Sequence, residues 1–69
     1  MSNHVYKTVV VTGSSKTSME DAIKSAIDKA GQTVRNLRWF EVTETRGFIE
    51  NQKLAYWQVT MNVSFTLDE

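Results

Sequence analysis

Apolar and polar residues alternate differently in successive segments of the chain, and each pattern predicts one element. A β-branched and aromatic run over Val5–Thr12 is typical of a strand, and the Gly13-Ser14-Ser15 triplet that ends it predicts a loop. From Met19 onward the apolar residues recur at steps of three and one, ending on a step of four, which places them on a single stripe of an α-helix. The stripe consists of Met19, Ala22, Ile23, Ala26, Ile27, Ala30 and Val34.

The helix has a well-marked start and a poorly marked end. Ser18 is suited to the N-cap because its hydroxyl can accept a hydrogen bond from a free amide of the first turn, although Thr17 is an alternative cap. Gly31 disfavours helix by about 1 kcal/mol, yet the apolar stripe continues beyond it. We therefore expect the helix to end between Ala30 and Arg35.

Two long extended segments complete the chain, Leu37–Glu50 and Lys53–Leu67, joined by the short Asn51-Gln52 connection of a hairpin. The element order β-α-β-β predicts an α+β fold in which a three-stranded antiparallel sheet wraps around one helix, as a single domain over residues 1–69. Strands of this length extend well beyond a helix of about 16 residues, since a strand rises ~3.3 Å and a helix 1.5 Å per residue. Much of the sheet should therefore lie uncovered by its own helix.

Alternation in the first long strand makes Trp39 the leading candidate for a binding residue. It predicts Phe40 and Val42 on one side of the strand, and Trp39, Glu41, Thr43 and Thr45 on the other, which is the side away from the helix if Phe40 and Val42 face it. Trp39 is then the one large aromatic residue on an otherwise polar face, and an indole offers a flat surface for ring stacking. The alternative is that Trp39 seals a subunit contact or belongs to the core.

Gln58 and Arg46 are the other candidate binding residues. Gln58 lies on the polar side of the second long strand, and its amide can donate and accept side by side, which suits the edge of a uracil-like ring. Arg46 precedes Gly47, where another chain can approach closely, and its guanidinium could hold a phosphate or carboxylate. The alternatives are an ordinary exposed glutamine and a solvated salt bridge.

Composition limits what else the protein can be. A chain of 69 residues buries little surface, so its stability needs a further source such as disulfides, a structural metal or oligomerisation. Because the chain has no cysteine and only one histidine, His4, oligomerisation is the source that remains. Eight basic and eight acidic residues cancel, which argues against a nucleic-acid partner. No membrane span, signal peptide, nucleophile–base pair or metal-ligand set is evident, so we expect a cytoplasmic protein that is not an enzyme.

With these residues in place, the chain resembles the dodecin family from Val5 to Leu67. The landmarks are a valine-rich strand before Gly13-Ser14-Ser15, Asp21-Ala22-Ile23 in an Ala-rich helix, Thr33-Val34-Arg35-Asn36-Leu37, Trp39-Phe40-Glu41-Val42, Arg46-Gly47, Tyr56-Trp57-Gln58-Val59 and Val63-Ser64-Phe65. Each fragment alone is weakly specific, but their order and spacing in a short chain are distinctive.

The resemblance implies a homododecamer that stores flavins, stacked between tryptophans at subunit interfaces and quenched there. On that pattern Trp39 stacks on the isoalloxazine ring, Gln58 bonds its pyrimidine edge, and Arg46 lines the pocket or ties subunits together. Flavin mononucleotide (FMN) is the favoured ligand, with riboflavin or FAD as alternatives and coenzyme A as a further one. Many bacterial relatives carry a basic residue where this chain has Thr66.

Overall fold

The computed structural model describes residues 3–68, so that Met1, Ser2 and Glu69, which belong to the domain predicted over residues 1–69, lie outside the described residues. The elements follow the predicted order: β1 (Tyr6–Ser15), α1 (Met19–Ala30), β2 (Leu37–Glu50) and β3 (Lys53–Thr66). The three strands form one antiparallel sheet in the spatial order β1-β3-β2. The predicted α+β fold is therefore confirmed, and β3 is its central strand.

The core lies between α1 and the two strands that it crosses, β1 and β3. Small side chains on the helix let it approach the sheet closely, and they meet larger apolar side chains of the central strand. The buried core residues are Ala22, Ala26, Val59, Met61 and Val63, with Val9, Val11, Ile23, Ile27 and Leu37 packed around them. Alternate positions of β3 supply the buried set, as expected for a strand with one face toward the core.

The helix begins as predicted at Ser18, whose hydroxyl accepts a hydrogen bond from the Asp21 amide at 3.0 Å. Ser15, buried at the end of β1, joins the strand to this first turn: its hydroxyl donates to the Asp21 carboxylate at 2.7 Å and accepts from the Thr17 amide at 2.9 Å. The helix ends at Ala30, with Gly31 as its C-cap, which is the earliest of the ends that the sequence allowed.

Removing the N-cap should weaken the helix measurably. Ser18→Ala leaves the Asp21 amide without its side-chain acceptor, and we expect a loss of about 1 kcal/mol in the free energy of unfolding, measured by thermal or denaturant melting. Thr17→Ala is the matched control, because Ser18 and not Thr17 caps the helix. Equal losses from the two substitutions would contradict this assignment.

The structure corrects the predicted end of the first strand. β1 does not stop at Thr12 but continues through Gly13-Ser14-Ser15, which pairs with Val59, Gln58 and Trp57 of β3. The reason is that the long central strand offers backbone partners beyond Thr12, and a glycine in the strand lets the helix backbone pass directly over it. The last strand also differs slightly from its prediction, since β3 ends at Thr66, one residue before the predicted Leu67.

The hairpin extends far past the helix, as the lengths of the segments predict. The chain measures 56 Å along its longest axis, whereas a helix of 12 residues covers only ~18 Å. At the hairpin end, Asn51 and Gln52 both have positive φ, the backbone conformation that a tight two-residue turn requires. Apolar side chains on this arm are left open to solvent, including Ile49 and Leu54, which are 72% and 54% exposed.

Candidate functional site

The sheet face turned away from α1, called here the outer face, carries all three predicted binding residues. Cross-strand partners point to the same side of a sheet, so the strand register defines this face. Its members include Tyr6, Thr8, Val10, Thr12 and Ser14 of β1, Trp39, Glu41, Glu44, Arg46 and Phe48 of β2, and Tyr56, Gln58, Thr60, Asn62, Ser64 and Thr66 of β3.

Trp39 lies opposite Ser64 near the start of β2 and is 45% exposed. The ring of Tyr6, from the far edge strand, meets the indole in a T-shaped contact with 4.9 Å between centroids. This contact fixes one edge of the indole and leaves much of the side chain open. Trp39 is thus outside the apolar interior of its own subunit.

Gln58 and Arg46 lie opposite each other and are joined by a hydrogen bond. The Arg46 guanidinium donates from Nη1 to the Gln58 Oε1 at 2.6 Å, and from Nη2 to the Glu44 carboxylate at 2.8 Å. This pairing fixes which way the Gln58 amide points: its oxygen is turned to Arg46, and its NH2 group is left as a donor. Gln58 also borders an open hollow of about 390 Å³ with Ser14, Lys16 and Tyr56.

A β-bulge is the reason Arg46 reaches the outer face. The register shifts between Val42 and Glu44, so that Thr43 is the extra residue and its hydroxyl donates to the Thr60 carbonyl at 3.1 Å. The prediction that Thr45 shares the side of Trp39 is therefore wrong: Thr45 pairs with Val59 on the helix side. An extra residue reverses the phase of alternation, which is what strict periodicity cannot anticipate.

The expectation that Trp39 is the one large aromatic residue on this face is also wrong. Tyr6 lies beside it, and beyond the bulge Phe48 stacks on Tyr56 with 4.7 Å between ring centroids and an interplanar angle of 15°. The stacked pair covers the sheet next to Gln58, so both ends of the outer face have an aromatic patch. Phe40 and Val42 do lie on the helix side, but α1 packs mainly on β1 and β3, and they are 43% and 42% exposed.

The structure does not bring Trp39 together with Gln58 and Arg46 within one subunit. Trp39 pairs with Ser64, six positions along β3 from Gln58, and six residues of extended strand span about 20 Å. Trp39 also borders a cleft on the helix side, together with Ile27, Leu37, Arg38, Phe40 and Val63, which measures only about 160 Å³, below the ~300 Å³ at which small-molecule pockets begin. A single copy therefore holds the candidate residues in two separate groups, called here half-sites: Trp39 in one, and Arg46 with Gln58 in the other.

Sequence reasoning missed one functional candidate, Arg38. Its Nε donates to the hydroxyl of buried Thr66 at 2.9 Å, which holds the guanidinium on the outer face next to Trp39. The register shift between Leu37 and Trp39 makes Arg38 an extra residue of the strand, so that Arg38 and Trp39 both reach this face. No pattern in the sequence signals a bulge at this position.

The described part of the chain has neither a cluster of metal-ligating side chains nor a membrane-spanning helix. Within residues 3–68, no three histidine or carboxylate side chains lie together as they would around a metal ion. No helix of that range is long and apolar enough to cross a lipid bilayer.

These features define a class of small α+β protein: one helix packs on a three-stranded antiparallel sheet, and the candidate binding residues lie on the sheet face that the helix leaves open. The family model described as Dodecin matches residues 5–68. A curated Dodecin of Thermus thermophilus is 43% identical over 65 residues, covering 94% of each chain. The chain therefore belongs to the dodecin family.

Solved structures agree with this assignment. The dodecin from Streptomyces davaonensis superposes with a TM-score of 0.95 at 47% identity, covering 99% of this chain and all of that one. The dodecin from Streptomyces coelicolor gives a TM-score of 0.93 at 45% identity, covering 100% and 99% of the two chains. The predicted family and fold are both confirmed.

Proposed function

We propose that this protein binds flavins at the interfaces of a homododecamer, stacks them on Trp39 and keeps them quenched without turning them over. The observation that carries the proposal is the 45% exposure of the Trp39 indole on the outer face of a dodecin-family chain. A large aromatic side chain on a strand is normally buried against its own core. One that remains open is available to a flat ring from outside.

The separation of the half-sites supports a site shared between copies. A flavin stacked on Trp39 cannot also reach Gln58 of the same chain, about 20 Å away along the sheet. Gln58 of another subunit would supply the hydrogen bond to the pyrimidine edge, with its amide oriented by Arg46. Assembly is favoured by the apolar side chains that one copy leaves open, such as Val10, Ile49 and Leu54.

The free energies of the individual contacts also favour a site shared between subunits. A ring stack of ~1 kcal/mol and one or two hydrogen bonds of ~1 kcal/mol each are far below the ~8 kcal/mol of micromolar affinity. Enclosure by several chains adds apolar burial at ~25 cal/mol per Å² and removes water from the polar contacts. Stacking on both ring faces leaves no face for a second reactant, which is why we propose storage and not catalysis.

The proposal is tested by titrating purified protein into FMN and into riboflavin while flavin fluorescence is followed, with sizing chromatography on the same samples. We expect fluorescence to fall in both titrations, because an indole in van der Waals contact with the ring quenches its excited state. The flavin should elute with an oligomer and not with a monomer. Coenzyme A, the further ligand that the family resemblance implies, is added in a parallel series to test whether it competes.

Unchanged fluorescence with both flavins would refute flavin binding. If the protein then still elutes as an oligomer, Trp39 serves only to seal subunit contacts. Catalytic turnover of a reductant by the flavin-loaded protein would refute the storage role while leaving the binding site intact.

A further inference from the structure

Arg38 differs from the other arginines of the described chain in having no acidic partner. Arg35 pairs with Asp68, which Asn36 also bonds, and Arg46 pairs with Glu44. Within residues 3–68 Arg38 makes no ion pair, and its bond to the Thr66 hydroxyl uses only Nε. The two terminal nitrogens of its guanidinium are left to donate elsewhere.

This guanidinium is held in place and is not a loose surface charge. Thr66 is buried to 9% exposure in the central strand, so its hydroxyl is a fixed anchor for Nε. A guanidinium fixed at Nε presents its remaining N–H groups as a fork, the geometry that binds a phosphate through two parallel hydrogen bonds. Less side-chain entropy is then lost when an anion binds.

The position of the Arg38 guanidinium relative to Trp39 suits a ligand that has a flat ring and a charged tail. Thr66 lies two residues along β3 from Ser64, the cross-strand partner of Trp39, which corresponds to about 7 Å. That is the scale of a five-carbon ribityl chain leading from a ring to its terminal phosphate. Acidic Glu41 lies on the other side of Trp39, opposite Asn62, so the field along the face favours the anionic tail at the Arg38 end.

We propose that Arg38, positioned by the Thr66 hydroxyl, binds the terminal phosphate of the flavin and makes the site select FMN over riboflavin. This inference rests on the proposed flavin site. A phosphate monoester carries about −1.5 to −2 charges at neutral pH, and a charge-assisted pair with a fixed guanidinium should favour the phosphorylated flavin roughly tenfold.

The test compares affinities for FMN and riboflavin in the same fluorescence titration, for wild type and Arg38→Gln. We expect the wild type to bind FMN roughly tenfold more tightly, and the variant to bind both flavins about equally, at the wild-type affinity for riboflavin. Arg38→Lys keeps the positive charge but lacks the paired N–H donors of a guanidinium, so it should retain part of the preference for FMN over riboflavin. The FMN preference of the wild type should also shrink as salt is raised, because salt screens the exposed charge.

Arg35→Gln is the matched control, since it removes an exposed arginine that already has an acidic partner, and its FMN-to-riboflavin ratio should equal that of the wild type. Riboflavin binding reports that each variant still folds and assembles. An unchanged FMN-to-riboflavin ratio in Arg38→Gln would overturn the assignment of Arg38 alone, and so would an equal loss of both flavins in a variant that still elutes as the wild-type oligomer. Failure of the wild type to bind either flavin would instead refute the flavin site itself.

Discussion

Replacing Trp39 with alanine is expected to lower flavin affinity by a factor of roughly 300. A stacked ring would cover about 100 Å² of the indole, worth ~2.5 kcal/mol at ~25 cal/mol per Å², and the aromatic geometry adds ~1 kcal/mol. Their sum of about 3.5 kcal/mol corresponds to that factor, since each 1.4 kcal/mol is tenfold. The measurement is titration of FMN fluorescence and absorbance at fixed protein concentration.

Two further variants separate stacking from other roles of tryptophan. Trp39→Phe keeps a ring on the outer face but removes the electron-rich indole, so flavin should still bind while its quenching weakens. Trp57→Phe changes the chain's other tryptophan, which pairs with Gly47 on the helix side, and should leave both binding and quenching as in the wild type. Flavin binding by Trp39→Ala at wild-type affinity would show that the ring stacks elsewhere.

Gly13→Ala is expected to destabilise the subunit more than the same substitution at either of the other two glycines, Gly31 and Gly47. The helix crosses β1 directly over Gly13, and an added Cβ would overlap the Ala22 carbonyl oxygen and come within 2.8 Å of the Ala26 Cβ. These are backbone and short side-chain atoms that cannot swing away, so α1 itself must move. We expect a loss of about 3 kcal/mol, which lowers the melting temperature by at least about 12 °C.

Gly31→Ala is the control for this substitution. Gly31 has φ −67° and ψ −14°, the helical region that any residue adopts, and an added Cβ would lie 3.3 Å from the Ile27 carbonyl oxygen. Alanine there should change the free energy of unfolding by less than about 1 kcal/mol, and it favours helix over glycine. Similar melting temperatures for wild type and Gly13→Ala would mean that helix and sheet are not so closely packed in solution.

The elements with a strong local signal could be predicted from the sequence. The apolar stripe from Met19 fixes the helix and its buried face, and Ser18 marks its first turn because a cap depends on neighbouring residues alone. Strict alternation along β3 correctly separates buried Val59, Met61 and Val63 from the outer face. Trp39 was also placed correctly, since it precedes the bulge that alters the phase of β2.

Features that depend on pairing between distant segments could not be predicted. Which strand is central follows from how β1 and β2 compete for partners, and the alternation of apolar residues is the same in either arrangement. The bond from Arg38 to Thr66 joins residues 28 positions apart, and it needs both a bulge and the final register. The separation of Trp39 from Arg46 and Gln58 could not be predicted either, because it depends on the register between β2 and β3.

The bulge at Thr43 makes the number of residues between Trp39 and Arg46 as important as their identities. A strand with the same number of residues between Trp39 and Arg46 but without the bulge would turn either the indole or the guanidinium to the opposite side of the sheet. Gln58 would then lose the cation that orients its amide. For a relative of unknown function, aligned candidate residues at this spacing thus indicate the same arrangement only where the strand also carries the bulge.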